Sequence, residues 1–71
     1  MFPNCDKLRQ ANRHVVESRA RVAVQEARAA ELARRGDPPE DAITRLEEAR
    51  LTLRLMERQR DILLWDYTRG S

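Results

Sequence analysis

Apolar residues recur along this chain at alternating steps of three and four, in two series separated by one cluster of turn residues. Leu8, Ala11, Val15, Ser18, Val22, Gln25, Ala29 and Leu32 mark the first series. Ala42, Leu46, Ala49, Leu53, Met56, Arg60, Leu63 and Tyr67 mark the second, with Ile43 and Leu64 flanking it. Such steps place side chains on one face of an α-helix. Their regular alternation is the heptad of helices packed nearly antiparallel, with a left-handed crossing. The pattern therefore predicts an all-α protein whose two helices meet along a seam led by Leu8, Val15, Val22, Leu32, Leu46, Leu53, Met56 and Leu63. Ser18, Gln25 and Arg60 interrupt the two series and are expected at the edge of the stripe. The alternative is that they sit in the seam and set its register at a cost in stability.

The punctuation fixes how the two helices connect. Pro3 stands near the start, Gly36, Pro38 and Pro39 stand together in the middle, and the next Gly is Gly70. Helix one is expected over about 5–35, capped at its start by Asn4 or Asp6. Arg34 and Arg35 lie in its last turn, where cations suit the negative end of the helix dipole. Gly36 follows, where a left-handed residue ends many helices. Asp37 is then a natural N-cap for a second helix over about 38–67. Pro38 falls at the first helical position and Glu40 three residues after the cap, as in a capping box. A turn of 36–37 leaves almost no loop, so the two helices are expected to fold back as an antiparallel hairpin.

A second stripe changes the picture from a lone hairpin to an assembling one. At about 100° per residue, Leu51, Leu55, Ile62 and Trp65 cluster on one face of helix two, roughly opposite the seam. One neighbouring helix cannot cover both faces. Helix one shows a milder extension of its apolar arc through Val16, Ala20, Ala23, Ala27 and Ala30. The expected solution is a homodimer in which two hairpins form a four-helix bundle, with Leu51, Leu55, Ile62 and Trp65 as the oligomer interface. The alternative is that a different protein covers the stripe.

Length and cysteine usage support assembly. A chain of 71 residues is at most one domain and buries little of its surface. One cysteine, Cys5, cannot form a disulfide within the chain, and a lone cysteine fits a reducing, cytoplasmic setting. The formal net charge is +2, with 13 of the 14 basic side chains arginine. Residues 1–35 carry eight basic and four acidic side chains, residues 36–71 six basic and eight acidic, so the halves attract modestly. This balance is not the footprint of a nucleic-acid binder. No apolar run approaches the ~20 residues of a membrane span, and the first residues lack the basic start and apolar core of a signal peptide. The closing Gly70-Ser71 pair reads as a cloning remnant and is left out of the fold.

Candidate chemistry is sparse. His14 and Glu17 stand at i, i+3, but the order is reversed from the Glu-x-x-His of di-metal bundles and the chain holds one His. A solvated polar pair is expected there. Cys5 lies near a helix start, which lowers a thiol pKa, yet an ordinary thiol at a frayed end is expected. Arg50, Arg54 and Arg58 form an i, i+4 column that suits phosphates or acidic surfaces. Glu47, Glu57 and Asp61 lie within three residues of these arginines, so local ion pairing is expected instead. Trp65 and Tyr67 are expected in the core or the dimer interface. No nucleophile–base pair, catalytic group, cofactor motif or metal site is predicted. A nucleic-acid-associated accessory role for the helix arginines is the alternative to a role through protein contacts.

The elements His14-Val15-x-Glu17-x-Arg19, Arg21-Val22-x-x-Gln25-Glu26 and Glu31-Leu32-x-x-x-Gly36-Asp37 are followed by Ala42-x-x-x-Leu46-Glu47-Glu48 and Leu53-x-x-x-Glu57-Arg58-x-Arg60-Asp61-x-Leu63. Across residues 14–63 this resembles the short helical-hairpin proteins of alphaproteobacteria, a group with no established function. The turn Gly36-Asp37-Pro38-Pro39 departs from the group's usual Gly-x-Asp form. The resemblance implies a bacterial, cytoplasmic hairpin and supplies no activity.

Overall fold

The computed structural model describes residues 3–69, of which 3–5 are described as helical backbone alone. Two helices, α1 (Pro3–Arg34) and α2 (Glu40–Arg69), pack along their lengths and account for all the regular structure among these residues. The Cα trace extends 55 × 15 × 12 Å, a rod one helix pair thick.

The close of α1 follows from Gly36. Its φ of 79° lies in the left-handed region, which costs L-residues with a Cβ roughly 1–2 kcal/mol. This geometry lets Asp37 N–H donate to Leu32 C=O at 3.0 Å and Gly36 N–H donate to Ala33 C=O at 3.1 Å. Together they are the paired bonds of a Schellman motif, which satisfies carbonyls otherwise orphaned at a helix end.

Other boundaries differ from expectation, for identifiable reasons. α1 already includes Pro3, a residue suited to a first helical turn. Asn4 and Asp6 therefore lie inside the helix rather than at its cap; Asp6 is in the first turn, where negative charge is favourable. The side chains of Asn4 and Cys5 lie outside the described residues, as do Gly70 and Ser71.

The non-helical link is longer than the predicted 36–37, covering 35–39. A proline disfavours the helical conformation in the residue before it. Pro39 thereby moves Pro38 out of the helix, and Pro38 does the same to Asp37. The first i→i+4 bond of α2 runs from Ile43 N–H to Pro39 C=O at 2.8 Å. Pro39 thus holds the cap position, Glu40 is the first helical residue, and the expected Asp37–Glu40 capping box does not form. Glu40 and Asp41 still bring negative charge to the first turn. At the other end α2 runs past Tyr67 to Arg69, and Thr68 Oγ1 donates to Trp65 C=O at 3.0 Å.

The core is a single seam. Ala11, Val15, Ser18 and Val22 of α1 and Ala42, Leu46 and Ala49 of α2 are buried, with Val15 the largest side chain hidden almost completely. Val22, Leu46 and Ala49 form one cluster, and Leu53 packs against it. Leu8, Ala29, Leu32, Met56 and Leu63 are half-buried along the same line.

The polar interruptions belong to the seam, not to its edge. Ser18 is buried, Gln25 has its Oε1 shielded from solvent, and Arg60 keeps only 26% of its side chain exposed. The heptad phase carries residues 18, 25 and 60 inward whatever their polarity, since a helix cannot turn one side chain out of register. Tyr67, expected at the end of the seam, is exposed, as are its flanking residues Ile43 and Leu64.

Candidate interaction surface

The outer face of α2 carries four of the large apolar side chains that are exposed among the described residues. Leu51, Leu55, Ile62 and Trp65 expose 56, 51, 52 and 59% of their surfaces. They project from a helix whose opposite face holds the seam, so α1 covers none of the stripe. Val16 and Val24 are exposed on α1 as well. There, however, the neighbouring stripe residues are alanines, which offer less area to a partner.

A shallow groove of about 410 Å³ runs across the distal part of the stripe, lined by Arg54, Glu57, Arg58, Asp61, Ile62 and Trp65. Its floor is apolar and its walls carry both signs of charge. The Trp65 ring is covered on one side by the Arg69 guanidinium, 5.0 Å from the ring centroid. That distance is within the range of a cation–π contact.

Ion pairs distinguish the flanks of α2 from its outer face. Arg19 Nη2 meets Glu57 Oε2 at 3.3 Å, and Arg50 Nη2 meets Glu26 Oε2 at 3.5 Å; both pairs tie α2 to α1 beside the seam. Glu31 binds Arg34 in the last turn of α1 and Arg35 just beyond it. Asp61 accepts from both Arg60 Nε and Arg60 Nη2 on its Oδ1. These pairings replace the expected local ones of Glu47, Glu57 and Asp61 with the Arg50–Arg54–Arg58 column. Among the described residues, Arg45, Arg54, Arg58 and Asp66 take part in no ion pair.

The remaining candidate chemistry does not converge. His14 and Glu17 line a small depression of about 180 Å³ with Ser18, Arg21, Thr52 and Met56. Among the described residues no three His, Cys, Asp or Glu side chains come close enough to hold a metal ion. No described helix is long and apolar enough to cross a membrane.

Sequence periodicity located the four apolar side chains but missed the charged frame around them. Arg54, Arg58 and Asp61 become part of the surface because they share a face with Ile62 and Trp65. Their spacing from Leu51 and Leu55 in the same heptad was the available signal. No family model, curated protein or solved structure matches the chain.

Proposed function

We propose that this chain is a non-catalytic self-assembly module: two hairpins associate through the outer face of α2 into a four-helix homodimer that acts through protein contacts. The observation that carries this is the stripe of Leu51, Leu55, Ile62 and Trp65, each more than half exposed on a chain with a thin core. Covering a large apolar side chain completely is worth ~1.5–3 kcal/mol, so each half-exposed one forgoes a sizeable part of that in the isolated hairpin. Contiguous apolar surface of this kind is a mark of an interaction site. A second copy offers the same stripe in self-complementary form, as a two-fold interface requires.

The resemblance to bacterial hairpins and the lone cysteine support a cytoplasmic setting in a bacterium. The arginine-based nucleic-acid role is less well supported. Of the column Arg50, Arg54 and Arg58, Arg50 is engaged by Glu26, and a net charge of +2 supplies little long-range attraction to phosphate.

Sedimentation equilibrium over a wide concentration range tests the proposal. The wild-type chain is expected to sediment as a dimer. Leu55→Glu, which places two charges in the interface, is expected to sediment as a monomer with unchanged helicity. A wild-type chain that stays monomeric throughout overturns it. In that case the stripe is left for a different protein, or duplex DNA binding that falls steeply with salt becomes the favoured role.

A further inference from the structure

The stripe on α2 is a second heptad. Leu51, Leu55, Arg58, Ile62, Trp65 and Arg69 alternate steps of four and three, as the seam does on the other face. The groove beside it is lined in part at the spacing that heptad packing uses. Four of its lining residues, Arg58, Asp61, Ile62 and Trp65, stand at i, i+3, i+4 and i+7. That is the four-cornered hole which receives one side chain of a facing helix.

Three arrangements of two such helices can be compared. In a parallel, in-register pair Arg58 opposes Arg58 and Asp61 lies across from Asp66, so like charges meet at the centre and on the flank. In one antiparallel register Arg58 of each copy enters the other's hole, against Arg58 itself. In the antiparallel register one heptad away, the side chain entering the hole is Leu51. Leu51 then meets Ile62, and Leu55 meets the aliphatic stem of Arg58. On one flank Arg54 faces Asp61 and on the other Arg45 faces Asp66, each pair occurring twice through the two-fold axis.

This third register pairs some of the charges that the hairpin leaves unused. Arg45, Arg54 and Asp66 have no ion-pair partner among the described residues. Asp61 spends only Oδ1 on Arg60, which leaves Oδ2 for a second guanidinium. We infer that a second copy of the chain lies antiparallel along the outer face of α2, with Leu51 of each copy seated among Arg58, Asp61, Ile62 and Trp65 of the other and Arg54 of each paired with Asp61 of the other. This rests on the self-assembly proposed above and specifies its orientation and register. Because the stripe lies roughly opposite the seam, at about 100° per residue, the four helices form one flat layer with the two α2 helices at its centre. They do not close into a square bundle around a common core.

Charge reversal tests the register. Arg54 and Asp61 are seven residues apart and do not touch within one helix, so the coupling between their variants reports on contacts between copies, whereas Asp61→Arg alone also loses the pair with Arg60. Arg54→Asp and Asp61→Arg are each expected to weaken self-association by about tenfold. An equimolar mixture of the two variants is expected to form the heterodimer preferentially, and both substitutions in one chain are expected to restore the wild-type affinity.

Orientation is read separately by spin-label distances on Asp41→Cys in a Cys5→Ser background. With the two-fold axis between residues 56 and 57, a rise of ~1.5 Å per residue puts the two labels about 45 Å apart. A parallel pair brings them within about 20 Å. A stable wild-type dimer with the short distance, or with affinity indifferent to both charge reversals, overturns this inference while leaving self-assembly intact. A wild-type monomer overturns both.

Discussion

Between Ala42 and Ala49, α2 buries three side chains against α1 and turns a largely polar surface to water; between Leu51 and Trp65 it buries none fully and leaves five large apolar side chains exposed, Leu51, Leu55, Ile62, Leu64 and Trp65. The two stretches belong to one uninterrupted helix and meet the same partner helix. The two stretches carry different residues and meet different parts of α1: Val22 and Gln25 lie against the first, Ala11 and Ser18 against the second. Facing α2, α1 presents mostly small side chains, Ala11, Val15, Ser18 and Val22, which fill a narrow seam and no more. Near the turn, α2 is amphipathic enough for that seam to satisfy it. Beyond Leu51, apolar residues occupy both faces, and α1 covers only one of them.

The largest test of this contrast compares two leucines. Leu46 is 9% exposed and Leu55 51%. Leu46→Ala removes buried methyl groups from a seam with little capacity to collapse, and should lower unfolding stability by about 2–3 kcal/mol. Leu55→Ala, measured by urea unfolding at concentrations dilute enough to hold the chain monomeric, should cost less than about 0.5 kcal/mol. Comparable losses at the two sites would break the contrast, because Leu55 would then be supported within the hairpin itself.

A smaller effect of opposite sign is expected at Gln25. Its Oε1 is shielded from solvent and receives no hydrogen bond in the hairpin. A buried acceptor left unmade costs about 1–3 kcal/mol of desolvation. Gln25→Leu keeps a similar volume and removes the polar atom, so thermal unfolding should show a gain of about 1 kcal/mol. A loss instead of a gain would mean that the amide is satisfied in solution and that the seam near Val22 is already at its best.

How much of this was legible beforehand differs by residue. The hairpin was legible because Gly36 ends one heptad series and Pro38-Pro39 precedes the next, and the left-handed φ of 79° at Gly36 is what that punctuation implied. The start of α2 was misplaced because two rules competed at Pro38. A proline favours a first helical turn, but a proline that is itself followed by a proline is pushed out of helical geometry, and the second effect won. Ser18, Gln25 and Arg60 were misjudged because polarity was weighed above phase. The apolar stripe of Leu51, Leu55, Ile62 and Trp65 was legible from spacing alone. Its charged frame of Arg54, Arg58 and Asp61 was not, because local i, i+3 pairing was the simpler expectation, and cross-helix partners such as Glu26 for Arg50 emerge only once the helices are docked.

The smallest expected effect concerns what holds the distal half of the hairpin closed, where the seam residues Leu53, Met56 and Leu63 are only half-buried. Arg19 and Glu57 bridge the helices there at 3.3 Å, with 58% and 34% of their side chains exposed. Nearer the turn, Glu26 and Arg50 bridge at 3.5 Å with similar exposure. Water and salt screen both pairs, and ordering two long side chains offsets much of their attraction. A double-mutant cycle with alanine at each position should therefore give a coupling of about 0.5 kcal/mol or less for either pair. Both couplings should shrink further in 0.5 M salt, where the screening length falls to roughly 4 Å. If Arg19 and Glu57 instead coupled by more than about 1 kcal/mol while Glu26 and Arg50 did not, charge would be closing the distal half. The apolar residues beyond Leu51 would then be freer of any duty within the hairpin. A coupling near zero leaves Leu53, Met56 and Leu63 to hold that half from inside, with the outer stripe free of any duty within the hairpin.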